Sequence, residues 1–157
     1  MVHRDKQQKD SVNIETFEAS MRDMVADHKA VLDWIATQEN LDANRIGVFG
    51  ISMGGIKAAL LAGLDPRIKA SALSLAGGDL PHIITHSSEK GIRKRNAPVL
   101  AERAMTPEDL ERYLRAILAT DPLTFAKHLD ARRTLMVLAM FDTVVPYRTQ
   151  RTLWRAI

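Results

Sequence analysis

The run from Arg45 to Gly63, RIGVFGISMGGIKAALLAG, restricts the fold more than any other part of the chain. A short β-rich apolar segment, RIGVFG, meets the helical pattern GIKAALLAG across a bend made of little but glycine and serine. A strand that turns directly into a helix opens a β-α-β unit, because parallel strands need a crossover of that kind. The rest of the chain keeps the rhythm. Upstream, Ile14, Phe17, Met21, Met24, Val25, Val31, Leu32 and Ile35 recur at three- and four-residue steps, which predicts an amphipathic helix with one buried face. TQENLDANR breaks it with turn formers. Further on, DPR is a turn and IKASALSLAG reads as a second buried strand. TLMVLAMF is a third, apolar throughout, as strands covered on both faces of a parallel sheet are. YRTQRTLWRAI opens a last helix.

Between the second and third strands, from Leu80 to about Arg133, the pattern changes to a mostly helical insert. Within it TPEDLERYLRAILAT offers Thr106 as N-cap, a proline at the first helical position and acids in the first turn. DPLTFAKHL reads as another short helix. The order helix, strand, helix, strand, insert, strand, helix predicts an α/β fold: one domain over residues 1–157, with a mostly parallel sheet flanked by helices and a helical insert at about 80–133.

Composition removes whole classes of function. With 46% hydrophobic and 26% charged residues in 157, the chain is globular in composition. No apolar run approaches the roughly 18 residues of a membrane helix, and MVHRDKQQKDSVN lacks the apolar centre of a secretory signal. There is no cysteine, which removes disulfides, thiolate metal sites and cysteine nucleophiles and suits the cytoplasm. The net charge of +3 is a small excess, and its visible cluster, Arg93, Lys94 and Arg95 in GIRKRN, has no interleaved aromatics. A solvated loop is the expectation there, and nucleic acid is not an expected partner. His28, beside the apolar stripe of the first helix, has no second ligand at helical spacing and reads as a packed or partly exposed residue.

Gly50-Ile51-Ser52-Met53-Gly54 is a G-x-S-x-G motif, placed after a strand and at the opening of a helix. A phosphate loop would need G-x-x-x-x-G-K-[ST] and a dinucleotide loop G-x-G-x-x-G, and neither is present. On so tight a turn the residues two before and two after the serine are expected to touch, so that Gly50 and Gly54 must lack side chains, while Gly55 would let the helix lie close to the strand. The turn would lift the Ser52 hydroxyl clear of the sheet and aim the Met53 N–H at an oxyanion. A nucleophilic serine also needs a base and a group to orient it. Asp142, in LMVLAMFDTVVPY, follows a buried strand at its carboxyl end, where ligands gather in open α/β sheets. Asp79, in SLAGGD, is the alternative acid. A purely structural glycine turn remains the rival reading.

GVFGISMGG, followed by a strand, an insert and MFDTVVP, resembles the α/β-hydrolase superfamily, on the side of the prolyl-oligopeptidase-like and dienelactone-hydrolase-like esterases. The resemblance covers about Ala30 to Ala76 and Thr134 to Pro146. It implies a partial α/β-hydrolase fold and a serine hydrolase acting on a small-molecule ester or acyl substrate, with esters expected ahead of amides. It further implies Ser52 as nucleophile, the Met53 N–H in the oxyanion hole and Asp142 orienting a histidine. No metal or organic cofactor is implied.

The chain departs from the family in one respect that matters. The family's histidine follows the acid, yet His3, His28, His82, His86 and His128 all precede Asp142. Only 49 residues precede Gly50, room for one helix where the family builds several strands. Three explanations stay open: a fragment of a longer hydrolase, a pseudoenzyme or binding scaffold that lost the base, or an enzyme using His82 or His86 out of the usual order. A three-stranded sheet would also leave unpaired edges and invite self-association.

Overall fold

The computed structural model describes residues 14–157. The spacing of apolar residues upstream of the bend produces helix α1, Ile14–Ala36. Met21, Met24 and Leu32 are its buried apolar residues, whereas Val31, assigned to the same stripe by its spacing, is 52% exposed. Strand β1 (Ile46–Ile51) passes through Ser52 into helix α2 (Met53–Leu64), and β2 (Ile68–Ser74) follows. The turn between α2 and β2 is closed by Asp65. Its buried carboxylate takes both Nε (2.9 Å) and Nη2 (2.7 Å) of Arg67, whose Nη1 reaches Asp33 on α1 at 2.5 Å. Strand β3 (Thr134–Val137) completes a three-stranded parallel sheet in the order β1-β2-β3, and α7 (Tyr147–Ala156) ends the chain.

This is the expected α/β architecture, with two corrections in the sheet. β3 is half the length its apolar run suggests. The Val137 carbonyl accepts from Leu75 N at 2.8 Å, and two residues later the Ala139 N–H is taken by the Gln150 side chain, so Leu138–Phe141 leave the ladder. The sheet is also covered on one face only. The rows Phe49–Ala72–Leu135 and Ile51–Ser74–Val137 point to the other side, where Phe49 is 69%, Leu135 63% and Val137 52% exposed. An unbroken apolar run in β3 therefore does not mean burial on both sides here, because α2, the short helix α6 (Pro122–Phe125) and α7 all lie on the same side among the described residues.

The core on that side has two parts, both bordered by α2. Ala58 and Ala59 meet Leu73 and Ala76 of the β2 region and Leu153 of α7. Ile56 and Leu60 face Met21 and Met24 of α1 and the helices of the insert. Those helices are α3 (Leu80–His86), α4 (Lys90–Glu102), α5 (Pro107–Ile117) and α6 (Pro122–Phe125), the last running into a 3₁₀ turn at Ala126–His128. α5 begins with a capping box: Asp109 N donates to Thr106 Oγ1 at 3.2 Å and Thr106 N donates to Asp109 Oδ2 at 3.1 Å. α4 corrects the reading of GIRKRN as a loop. Glu89 accepts from Ile92 N at 2.6 Å and starts a helix that carries Arg93, Lys94 and Arg95 on its exposed side.

Buried carboxylates tie the insert to the rest. Asp121 accepts from the backbone N–H of Asp79 (3.1 Å), Leu80 (2.6 Å) and Leu123 (2.8 Å), which joins the end of the β2 loop to the start of α6. Burial pushes the Asp121 carboxyl above the ordinary range, against the pull of those three donors. Glu18 of α1 accepts from Thr120 Oγ1 at 2.6 Å. No helix among the described residues is long and apolar enough to cross a membrane.

Candidate active site

Ser52 has φ 54° and ψ −121°, a backbone conformation that costs a non-glycine residue about 1–3 kcal/mol. The surroundings impose it. Ser52 N donates to Ser74 O on the neighbouring strand at 2.8 Å, while Ser52 O already accepts from Ile56 N in the first turn of α2 at 2.9 Å. One residue thus ends a strand and starts a helix. Its hydroxyl makes no capping bond to the helix. Met53 is the first residue of α2, where backbone N–H groups have no partner within the helix and sit at its positive end.

The glycines divide unequally. A Cβ on Gly50 would lie 2.2 Å from the Gly54 carbonyl oxygen, inside any tolerable contact. One on Gly55 would lie 2.9 Å from both Ala76 Cβ and Ser74 O, so helix and strand touch there. One on Gly54 would meet nothing within 4 Å, so the expectation that Gly54 must lack a side chain for space is corrected. The crowding is one-sided: the Gly54 backbone fills the place of a Gly50 side chain, not the reverse.

Asp142 stands after β3. Its Oδ1 accepts from Val144 N (2.8 Å) and Val145 N (3.0 Å), and Oδ2 accepts from Gln150 Nε2 at 3.2 Å. Gln150, on α7, is fully buried and saturated: Nε2 also donates to Val145 O (2.7 Å) and Oε1 accepts from Ala139 N (3.0 Å). Sequence reasoning missed Gln150, and its only signal was a glutamine on the apolar side of a short terminal helix. Asp79, the alternative acid, is at the same sheet end with φ 63° and lies 2.9 Å from Arg115, an ion-pair contact and not an aligned hydrogen bond.

Ser52 and Asp142 thus share the carboxyl edge of the sheet. β2 lies between their strands, which separates the two strand ends by about 10 Å, two inter-strand spacings. Short side chains bridge that gap only through a third group. None of the described histidines is hydrogen-bonded or ion-paired to either residue. His28 is bonded to Met24 O at 2.8 Å, His128 lies beside Pro66, Ile68 and Lys69 at the opposite sheet end, and His82 and His86 face Glu111 of α5. His3 lies outside the described residues. Beside Met53 a small recess opens, with Phe17, Leu80, Ile83, Ile84 and Ile92 as its apolar wall and Arg95 and Asn96 as its polar part.

A parallel sheet in the order β1-β2-β3, flanked by helices and with a strained strand-to-helix turn after β1, is a partial α/β-hydrolase fold. Comparison with known proteins agrees. The family model of the X-Pro dipeptidyl-peptidase (S15 family) matches residues 15–147, so the chain belongs to that family. Among solved structures it is similar to an acetyl xylan esterase from Paenibacillus sp. R4, at 26% identity and a TM-score of 0.63 over 88% of this chain. The chain spans 42% of that esterase's length. No curated protein matches it.

Proposed function

We propose that the protein is a serine hydrolase of carboxylic esters working through an acyl-enzyme. The observation that carries this is the backbone of Ser52, strained at φ 54° between β1 and α2 with its hydroxyl not engaged in capping. In this reading Ser52 Oγ attacks the carbonyl carbon and its proton passes to an imidazole, which the described residues do not supply at this edge. The carbonyl oxygen takes the negative charge and is held by the Met53 N–H. The imidazole returns the proton to the departing alcohol, and water then releases the acyl group by the same steps in reverse order. Asp142 orients the imidazole and stabilises its charged form. The small recess beside Met53 suits a short acyl group, in keeping with the acetyl ester named for the similar structure.

A second reading has its own support: the family match favours cleavage after an X-Pro dipeptide. The two separate on substrates. The full-length protein should hydrolyse p-nitrophenyl acetate and leave a Gly-Pro p-nitroanilide intact, with Ser52→Ala inactive on both. The reverse preference selects the peptidase. No turnover of either substrate by a folded full-length protein selects a non-catalytic scaffold.

A further inference from the structure

We propose that His82, His86 and Glu111 form a binding site for one divalent transition-metal ion of the Zn²⁺ type. His82 and His86 are four residues apart on α3, so both rings project from the same side of the helix, stacked with centroids 4.0 Å apart. Glu111 reaches across from α5. Its Oε2 lies 3.3 Å from His82 Nδ1 and 3.6 Å from His86 Nδ1, and one ligand atom from each residue falls within 4.8 Å of the others. Ligands held about 2.0–2.2 Å from a tetrahedral zinc ion are about 3.4 Å apart. Two edges of the required triangle therefore already have the right length. Two imidazoles and one carboxylate are also a donor set that zinc accepts, with water in the fourth position. His86, whose side chain is 43% exposed, leaves that side open.

The neighbouring charges fit. Arg115 holds the other oxygen of Glu111, Oε1, at 2.5 Å, which turns Oε2 toward the histidines. The same guanidinium pairs with Asp79 at 2.9 Å, so the carboxylates of Glu111 and Asp79 together outnumber it by one negative charge. His86 Nδ1 lies 2.7 Å from Thr85 Oγ1 and 3.2 Å from the His82 carbonyl, so metal binding through that nitrogen displaces both contacts; Thr85 Oγ1 keeps the Pro81 carbonyl at 2.9 Å as another acceptor.

Such an ion would join α3 to α5. α3 supplies Leu80, Ile83 and Ile84 to the recess beside Met53, so the ion would brace one wall of that recess. Binding itself does not depend on the hydrolase reading.

The test is titration of the chelator-treated full-length protein with Zn²⁺ by calorimetry, with Co²⁺ as a spectroscopic probe. One ion should bind per chain, Co²⁺ should show the intense visible bands of four-coordination, and Zn²⁺ should raise the thermal midpoint. His86→Ala should weaken binding by at least about tenfold and cancel the thermal shift. The exposed position of His86 keeps this variant folded, and His86→Gln serves as a second version. Absence of saturable Zn²⁺ binding, or binding that neither variant changes, overturns the proposal.

Discussion

The bend after β1 and the turn after β3 hold Ser52 and Asp142 at the same edge of the sheet by opposite means. Ser52 is held by what is missing. Gly50 has no side chain, so the Gly54 carbonyl can come within 2.2 Å of where a Cβ would stand, and the strand and helix clamp the serine into a costly backbone. Asp142 is held by what is present: two backbone donors and the amide of Gln150, itself bonded to Ala139 N and Val145 O. The first device is local and intolerant of added atoms. The second is a network reaching eight residues along the chain, intolerant of removed ones.

Four substitutions break or sharpen that contrast. Ser52→Ala should lower kcat/KM for the ester roughly a thousandfold or more while leaving stability unchanged or slightly improved, because in the proposed mechanism the strained serine contributes chemistry and not packing. Gly50→Ala should destabilise the fold by about 4 kcal/mol or more in denaturant titrations, since the added methyl collides with backbone and not with a yielding side chain. Gln150→Ala should cost about 2–3 kcal/mol by leaving the Ala139 N–H and an Asp142 oxygen without their partner. It should also lower kcat with little change in KM, which simple loss of stability would not do. Gly54→Ala should lie within about 1 kcal/mol of the parent and on the stabilising side, because alanine is the better helix former and its Cβ meets nothing. Equal costs at Gly50 and Gly54 would show that the bend is not built as described.

The same contrast decides what could be read from the sequence. The bend was legible because its determinants are adjacent: the apolar run, the glycines at 50 and 55, and the alanine-leucine helix all fall within Arg45–Gly63. The start of α5 was legible for the same reason, with the Thr106 N-cap, the proline and the first-turn acids all adjacent at Thr106–Asp109. The Asp142 turn was only half legible. An acid after a strand is visible, but the hydrogen bonds that shorten β3 and fix the carboxylate come from a helix whose sequence shows no link to it. Gly54 was misjudged because the motif is symmetric in letters and the packing around it is not. The bare face of the sheet was invisible too, since β3 reads as apolar whether or not anything covers Leu135 and Val137. Arg93–Arg95 looked like a loop because charge shows exposure, and exposure is equally a property of one side of a helix.

The most direct measurement is active-site labelling of the full-length protein with a fluorophosphonate, read by peptide mass spectrometry. A single adduct on the peptide bearing Ser52, abolished in Ser52→Ala, is the predicted result. A folded protein that takes up no label, or takes it on another residue, would contradict the assignment of Ser52 as the nucleophile.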